Sequence, residues 1–330
     1  MKFSSAITRR LENRKNLLTF SGGADSTALF YLLREQKIHC DIAIVNYRTR
    51  PQSDDECAYA QELAKSYGLS CHIHHAEPIT ENFEHNARTI RYGFFESLIH
   101  DFGYENLITA HQLGDRLEWL LMQLCKGSGL LEMAGMQPIE QNGDYAIVRP
   151  LLSHSKDELI SYLKEHGYRW YEDESNSNEQ YRRNYFRNRF ATPMIEEYKT
   201  GIAKSFAYLD EDRDTLLDET QVHQLQDLCY FTTRPQRRAT LRMVDTILKR
   251  AGFLMRQGDR EALKSEDCIV AGRRYVIAIS EKITIICPYE EAVMDKAFKE
   301  QCRQLQIAPK LRGYLYRHPE TFEALTQQLS

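Results

Sequence analysis

Short, nearly continuous apolar runs alternate with longer stretches of helical periodicity through the first half of the chain. NLLTF at 16–20 and CDIAIVNY at 40–47 have the length and β-branched content of buried strands, as do LSCHIHH and ENLITAH further on. Between them, TALFYLLREQ at 27–36 puts Ala28, Leu29, Leu32 and Leu33 on one helical face. SDDECAYAQELAKSYG carries acids in its first turn and Gly68 as its stop. Helices are also expected from about Phe83 to Phe102 and from about Leu113 to Cys125. Units of this kind join parallel strands through right-handed crossovers, giving an α/β fold with a doubly wound parallel sheet covered on both faces. Such sheets bind ligands at the carboxyl ends of their strands, so chemistry is expected from Ser21, Asn46 and His111 onward.

Further along, Ser155 and Glu158 have the spacing of a capping box for KDELISYLKEHG, and a polar stretch at 172–180 precedes YRRNYFRNRF. From about Gly201 the pattern changes to helices with acidic and basic blocks. VAGRRYVIAISEKITIICPY at 270–289 reads as a β-hairpin turning at Ser280 to Lys282. A boundary near 198–206 therefore separates an α/β domain, 1–200, from a mostly helical region, 201–330. That region is helical to about 256, then continues as a small β-hairpin and a terminal helical segment.

With 330 residues, 42% of them hydrophobic, the chain can bury a sizeable core in each domain. It holds no run of about 18 to 20 apolar residues, and MKFSSAITRRLENRKN lacks the apolar centre of a signal peptide, so a cytoplasmic protein with no membrane partner is expected. Eight cysteines lie far apart with no CxxC pair, which speaks against a zinc ribbon, an iron–sulfur site or a dithiol centre. His72 and His74 share a strand face without an acidic or cysteine partner, so a structural role is expected of them. A net charge of −4 argues against a polyanionic partner until it is divided along the chain. Residues 1–230 sum to −10, residues 231–256 to +6, and residues 257–330 to zero. The basic segment gathers Arg234, Arg237, Arg238 and Arg242, and a smaller cluster holds Arg303, Lys310, Arg312 and Arg317.

SGGADST at 21–27 lies between a strand and a helix. Gly22 and Gly23 let backbone N–H groups curl around an anion, Ser21, Ser26 and Thr27 add hydroxyls, and the helix N-terminus adds further donors. No Lys follows, so this is not a Walker A loop. The string resembles the SGGxDS loop of the PP-loop ATP pyrophosphatases, with their adenine-nucleotide α-hydrolase-like fold. That resemblance implies ATP bound by Ser21, Gly22, Gly23, Ala24, Asp25 and Ser26, with Asp25 near a magnesium ion.

Further strings resemble the tRNA-isoleucine lysidine synthetase family over residues 16 to about 195. FEHNARTIRYGFF at 83–95 is similar to its E-x-x-AR-x-x-RY helix. Glu84, Arg88, Arg91 and Tyr92 share a polar stripe, with Arg88 assigned to nucleotide and Arg91 to RNA phosphate. TAHQLGDRLEW at 109–119 resembles TAH-x-x-x-D-x-x-E-T. Asp115 and Glu118 then face one side of a helix, suited to the ammonium of lysine, with His111 as a further catalytic candidate. Gln112, Gly114 and Trp119 depart from that pattern. CKGSGLLEMAGM at 125–136 places Lys126 where the family has Arg, as a looser phosphate contact. VRPLL at 148–152 and YEDESNSNEQYRRNYFRNRF complete the resemblance. In the latter, Asp173, Ser175 and Asn176 form a turn network and Arg182, Arg183, Arg187 and Arg189 are able to reach RNA. In VNYRTR, Arg50 is retained while residues 46–48 depart from the family, and their roles stay open.

The resemblance implies ATP-dependent ligation of L-lysine to the wobble cytidine of a CAU-anticodon isoleucine tRNA, releasing AMP and pyrophosphate. A tRNA thiolase is the rival within the superfamily, although the cysteines supply no cluster ligands. A non-catalytic RNA-binding protein with a relict nucleotide pocket is the other alternative. The region 201–330 is then expected to bind the tRNA, through Arg234, Arg237, Arg238 and Arg242, and a homodimer is left open.

Overall fold

The computed structural model describes residues 1–49, 52–172, 182–216 and 221–329. Arg50, Asp173, Ser175 and Asn176, and the turn network expected of the last three, lie outside the described residues. The chain divides into two compact units, Met1–Leu217 and Asp218–Ser330.

In the first unit, strands β1 (Asn16–Thr19), β2 (Asp41–Asn46), β3 (Cys71–His75), β4 (Asn106–Ile108), β5 (Ile139–Asn142) and β6 (Tyr145–Val148) form one sheet in the order β3-β2-β1-β4-β6-β5. All neighbouring pairs are parallel except β5 with β6. The helices are α1 (Ser5–Leu11), α2 (Ala24–Glu35), α3 (Gln52–Tyr67), α4 (Phe83–Phe102), α5 (Leu113–Leu124), α6 (Leu130–Ala134), α7 (Lys156–Glu165), α8 (Arg182–Phe186) and α9 (Thr192–Leu216). Strand alternation divides the core. Leu18, Ile42, Ile108 and Val148 pack with residues of α2, α3 and α7, while Leu17, Ala43, Leu107 and Ile147 pack with Phe95, Leu98 and Ile99 of α4.

Strand order reverses direction at β1, which has β2 on one side and β4 on the other. The crevice between the carboxyl ends of β1 and β4 is thus the switch point at which doubly wound sheets take ligands. SGGADS leaves β1 there, and His111 and α5 leave β4 there. The helix α9 runs through residues 198–206, kinked at Tyr198 (φ −121°, ψ 20°), which carries the first unit past the boundary expected from the pattern.

The second unit is built on β7 (His223–Leu225), β8 (Leu228–Thr232), β9 (Cys268–Ala271), β10 (Tyr275–Ile279) and β11 (Ile283–Pro288), an antiparallel sheet in the order β7-β8-β11-β10-β9. Its helices are α10 (Arg237–Arg250), α11 (Gln257–Ser265), α12 (Lys296–Gln304), α13 (Arg312–Arg317) and α14 (Pro319–Leu329). The expected hairpin is β10–β11, turning at residues 280–282 and forming the middle of a larger sheet. Ile277, Ile279 and Ile286 face Val244, Leu248 and Leu263 on one side. Val276, Ala278 and Cys287 face Cys302, Tyr314 and Leu325 on the other. Strands β7 and β8 fall in a stretch whose pattern reads as helical. Pairing of β8 with β11, over fifty residues away, decides their state. Among the described residues no helix is long and apolar enough to cross a membrane.

Candidate active site at the carboxyl end of the parallel sheet

The loop after β1 is held open by its own hydroxyls. Ser26 Oγ accepts from the Ser21 N–H at 3.2 Å and donates to the Gly23 carbonyl at 3.1 Å, and Thr27 Oγ1 donates to the Gly22 carbonyl at 3.3 Å. Gly22 has φ +74°, and a Cβ there would lie 3.2 Å from Glu56 Cγ, so both conformation and space require glycine. Gly23 is the N-cap of α2 and offers no capping side chain, which leaves first-turn N–H groups for an anion. The Tyr171 N–H, donating to the Gly22 carbonyl at 2.9 Å, fixes the loop from a distant part of the chain.

Asp25, in the first turn of α2, has a buried Oδ1 with no hydrogen-bond partner among the described residues. Burial, reinforced by the charge of Asp115 and opposed by Lys156 and Arg187, raises its carboxyl to about 6. An unpaired buried carboxylate at the mouth of an anion loop suits a hard cation accompanying phosphate.

Helix α5 begins with a capping box: Gln112 Oε1 accepts from the Gly114 N–H, and the Gln112 N–H donates to Asp115 Oδ2 at 3.0 Å. The departures at 112 and 114 from the family pattern thus form the cap that orients Asp115. Glu118 follows on the same face, its side chain 2% exposed. Both carboxylates are met by arginines. Arg187 donates to Asp115 Oδ1 at 3.1 Å and Glu118 Oε2 at 3.0 Å, and Arg183 donates to Asp115 Oδ1 at 3.3 Å and also binds Glu118 Oε1. The i,i+4 spacing of the arginines matches the i,i+3 spacing of the acids, so two helices join through a charge quartet. Arg183 and Arg187, expected at RNA phosphate, are in this structure turned onto the carboxylates expected to hold lysine. Burial pushes Asp115 up, but His111, Arg183, Arg187 and the Gln112 N–H together hold it below the usual range. For Glu118 burial prevails over the arginines, and its carboxyl is raised.

His111 Nδ1 lies 2.8 Å from Thr109 Oγ1. Burial is the main influence on the imidazole; Asp115 opposes it, Arg149, Arg183 and Arg91 add to it, and the result is about 4, so the ring is neutral near pH 7. Arg91, Arg149 and Arg183 act electrostatically on His111, and Lys156 and Arg187 on Asp25. That cationic surround suits a polyanion.

The remaining expected residues divide. Arg88 stacks over the Tyr92 ring at 4.5 Å, Lys126 is exposed in the turn after α5, and Arg182 is exposed with its guanidinium 5.8 Å from the Phe186 ring centre. Among the open positions 46–48, the Asn46 amide donates to Asp54 at 2.7 Å and Tyr47 OH to the Ala87 carbonyl at 2.9 Å. His72 bonds Tyr104 OH at 2.9 Å, and the His74 ring stacks on Phe94. Trp119 donates to the Glu132 carbonyl at 2.8 Å and covers Gly135, where a Cβ would come within 2.3 Å of its ring.

In the second unit, Arg237 binds Asp267 at 2.8 Å and the Leu263 carbonyl at 3.0 Å. Arg238 is exposed, and Arg234 and Arg242 are half-buried. Of the smaller cluster, Arg303 pairs with Glu300, Arg317 with Glu290, Arg312 with the Ile307 carbonyl and Lys310 with the Cys268 carbonyl. Two residues of the first unit escaped the sequence reading. Arg116, buried, pairs with Asp210 of α9 and lies 4.4 Å from the Phe206 ring centre, and Arg149 lies at the end of β6. A charged residue directly after an apolar strand is the signal that could have found Arg149.

Strand order, loop and carboxylates define a PP-loop protein, and residues 1–193 match the PP-loop domain model. A relative from Campylobacter jejuni is 40% identical over 99% of this chain and 100% of its own length. Another from Wolinella succinogenes is 43% identical over 93% of this chain and 94% of its own, and one from Helicobacter pylori is 41% identical over 93% and 90%. Each bears the name tRNA(Ile)-lysidine synthase. The chain belongs to the tRNA(Ile)-lysidine synthase family.

Proposed function

We propose that this ATP-using tRNA ligase joins L-lysine to C2 of the wobble cytidine in isoleucine tRNA with a CAU anticodon. The observation that carries the lysine assignment is the pair Asp115 and Glu118. It is buried and faces two guanidinium groups, Arg183 and Arg187, so the pair accepts cationic donors. A carboxylate pair so placed recognises a cationic amino acid.

The reading requires two displacements. Cytosine O2 attacks the α-phosphorus of ATP and pyrophosphate leaves; the ε-amine of lysine then attacks C2, and AMP leaves with the former O2. Gly22, Gly23 and the first turn of α2 offer donors where charge grows on the departing pyrophosphate. Magnesium fits beside Asp25, whose orphaned Oδ1 is a hard donor, and when bound it would neutralise phosphate charge. The ε-ammonium must lose a proton before attack. Glu118, raised by burial, and neutral His111 are the groups here able to accept one, and Asp115 stays ionised to hold the amine in line. The basic segment of α10 and exposed Arg182 are proposed to follow tRNA phosphate.

Purified protein, ATP, labelled lysine and isoleucine tRNA test this directly. Label is expected in the tRNA with one AMP per lysine. Sulfur transfer instead of lysine incorporation would overturn the assignment in favour of a thiolase.

A further inference from the structure

Arg149 follows β6, the strand beside β4, so it leaves the sheet next to the residues leading to His111. The Thr109 N–H donates to the Val148 carbonyl at 2.9 Å, which fixes this register. The side chain of Arg149 is only 8% exposed, an environment in which an arginine needs its donors matched. One terminal nitrogen binds Glu140 Oε2 at 2.8 Å and the Gln137 carbonyl at 3.0 Å. Glu140 is itself half exposed, so the charge is incompletely neutralised. The Nε–H is buried with no hydrogen-bond partner among the described residues. Nearness to the crevice shows in chemistry, because the Arg149 charge depresses the basicity of His111. A buried cation with an orphaned donor is costly. Arg34 and Arg116 share a buried Nε without a hydrogen-bond partner among the described residues, and what sets Arg149 apart is its place at the carboxyl end of β6, beside the strand that leads to His111.

We propose that Arg149 is a substrate-binding residue whose Nε–H donates to an anionic oxygen of a reactant in the crevice. All three reactants carry anionic oxygens; the two assigned to this crevice are ATP, through its α-phosphoryl group, and lysine, through its α-carboxylate. Loss of tRNA retention on filters in the Arg149 variants would give the contact to tRNA phosphate and overturn this assignment. The inference rests on the proposed reaction, and lysine incorporation by the unmodified enzyme tests that reading separately.

The test uses the full chain with Arg149→Lys and Arg149→Met. Lysine at this position keeps a charge near Glu140 but has no Nε–H and no planar donor set. One arm measures single-turnover pyrophosphate release from ATP and tRNA without lysine. A second compares lysine with cadaverine, which lacks the carboxylate, as the attacking amine. If the oxygen belongs to ATP, the first rate falls about 10- to 100-fold in both variants and the lysine preference is unchanged. If it belongs to lysine, pyrophosphate release is unaffected and the preference for lysine over cadaverine falls by about the same factor. Methylguanidinium is expected to restore part of the loss in Arg149→Met. Arg149→Lys within twofold of the unmodified enzyme in both arms overturns the proposal. So does a loss that tracks a lowered thermal midpoint and resists methylguanidinium. Should Arg149→Met fail to fold, Arg149→Lys carries the test alone.

Discussion

The two units handle charge in opposite ways. In the first, Asp115, Glu118, Arg116 and Arg149 are buried, as is Oδ1 of Asp25, and Asp25, Arg116 and Arg149 each keep a buried atom without a hydrogen-bond partner among the described residues. In the second, the arginine–carboxylate pairs lie near the surface, as in Arg237–Asp267 and Arg303–Glu300, at modest individual benefit. Burying charge that packing does not require is a cost, so its concentration at the carboxyl end of the sheet marks where chemistry has to be done. The second unit follows from apolar alternation on two sheet faces and carries its cations as a surface.

The comparison is broken most severely at the loop. Asp25→Ala is expected to lower pyrophosphate release by at least about 100-fold while tRNA retention on filters changes little, because the carboxylate serves phosphate chemistry alone. Comparable activity in that variant would refute the loop assignment. Next is Glu118→Gln, which keeps shape but removes the anion facing Arg183 and Arg187. The lysine KM should rise about 10- to 100-fold, measured by steady-state lysine incorporation.

Asp25→Asn sharpens the contrast through pH. The folded carboxyl at about 6 lies above its ordinary 3.8, so the folded state holds the proton more tightly. Its contribution to stability is therefore fullest below 3.8 and is lost as pH rises through 6. Asp25→Asn should raise the unfolding free energy at pH 7.5, by no more than about 3 kcal/mol, and leave it nearly unchanged at pH 4, as read from denaturant titrations. The smallest effect belongs to the second unit. Arg238→Ala should leave the thermal midpoint unchanged, weaken tRNA binding only severalfold, and reduce the salt dependence of log K by about one.

What the sequence disclosed follows the range of each interaction. The PP loop and the pair Asp115 and Glu118 are contiguous strings whose chemistry is set by a strand end and one helical turn, so they could be read directly. The closure of that pair by Arg183 and Arg187 joins residues more than sixty apart, and no local pattern carries it. The orphaned Nε of Arg149 depends on what β5 and Gln137 supply, which only the folded sheet determines. Likewise β8 becomes a strand through pairing with β11, more than fifty residues on, and β7 through pairing with β8.

Trp119 immediately follows Glu118 on α5, and the chain has only one other tryptophan, Trp170. Its indole is anchored to the Glu132 carbonyl over Gly135 and is 40% exposed. The molecule therefore carries a native optical reporter one residue from Glu118, the carboxylate proposed to take the substrate amine. With Trp170→Phe as background, lysine binding at the proposed site is expected to shift the emission of a single indole, readable in stopped flow without attaching a dye.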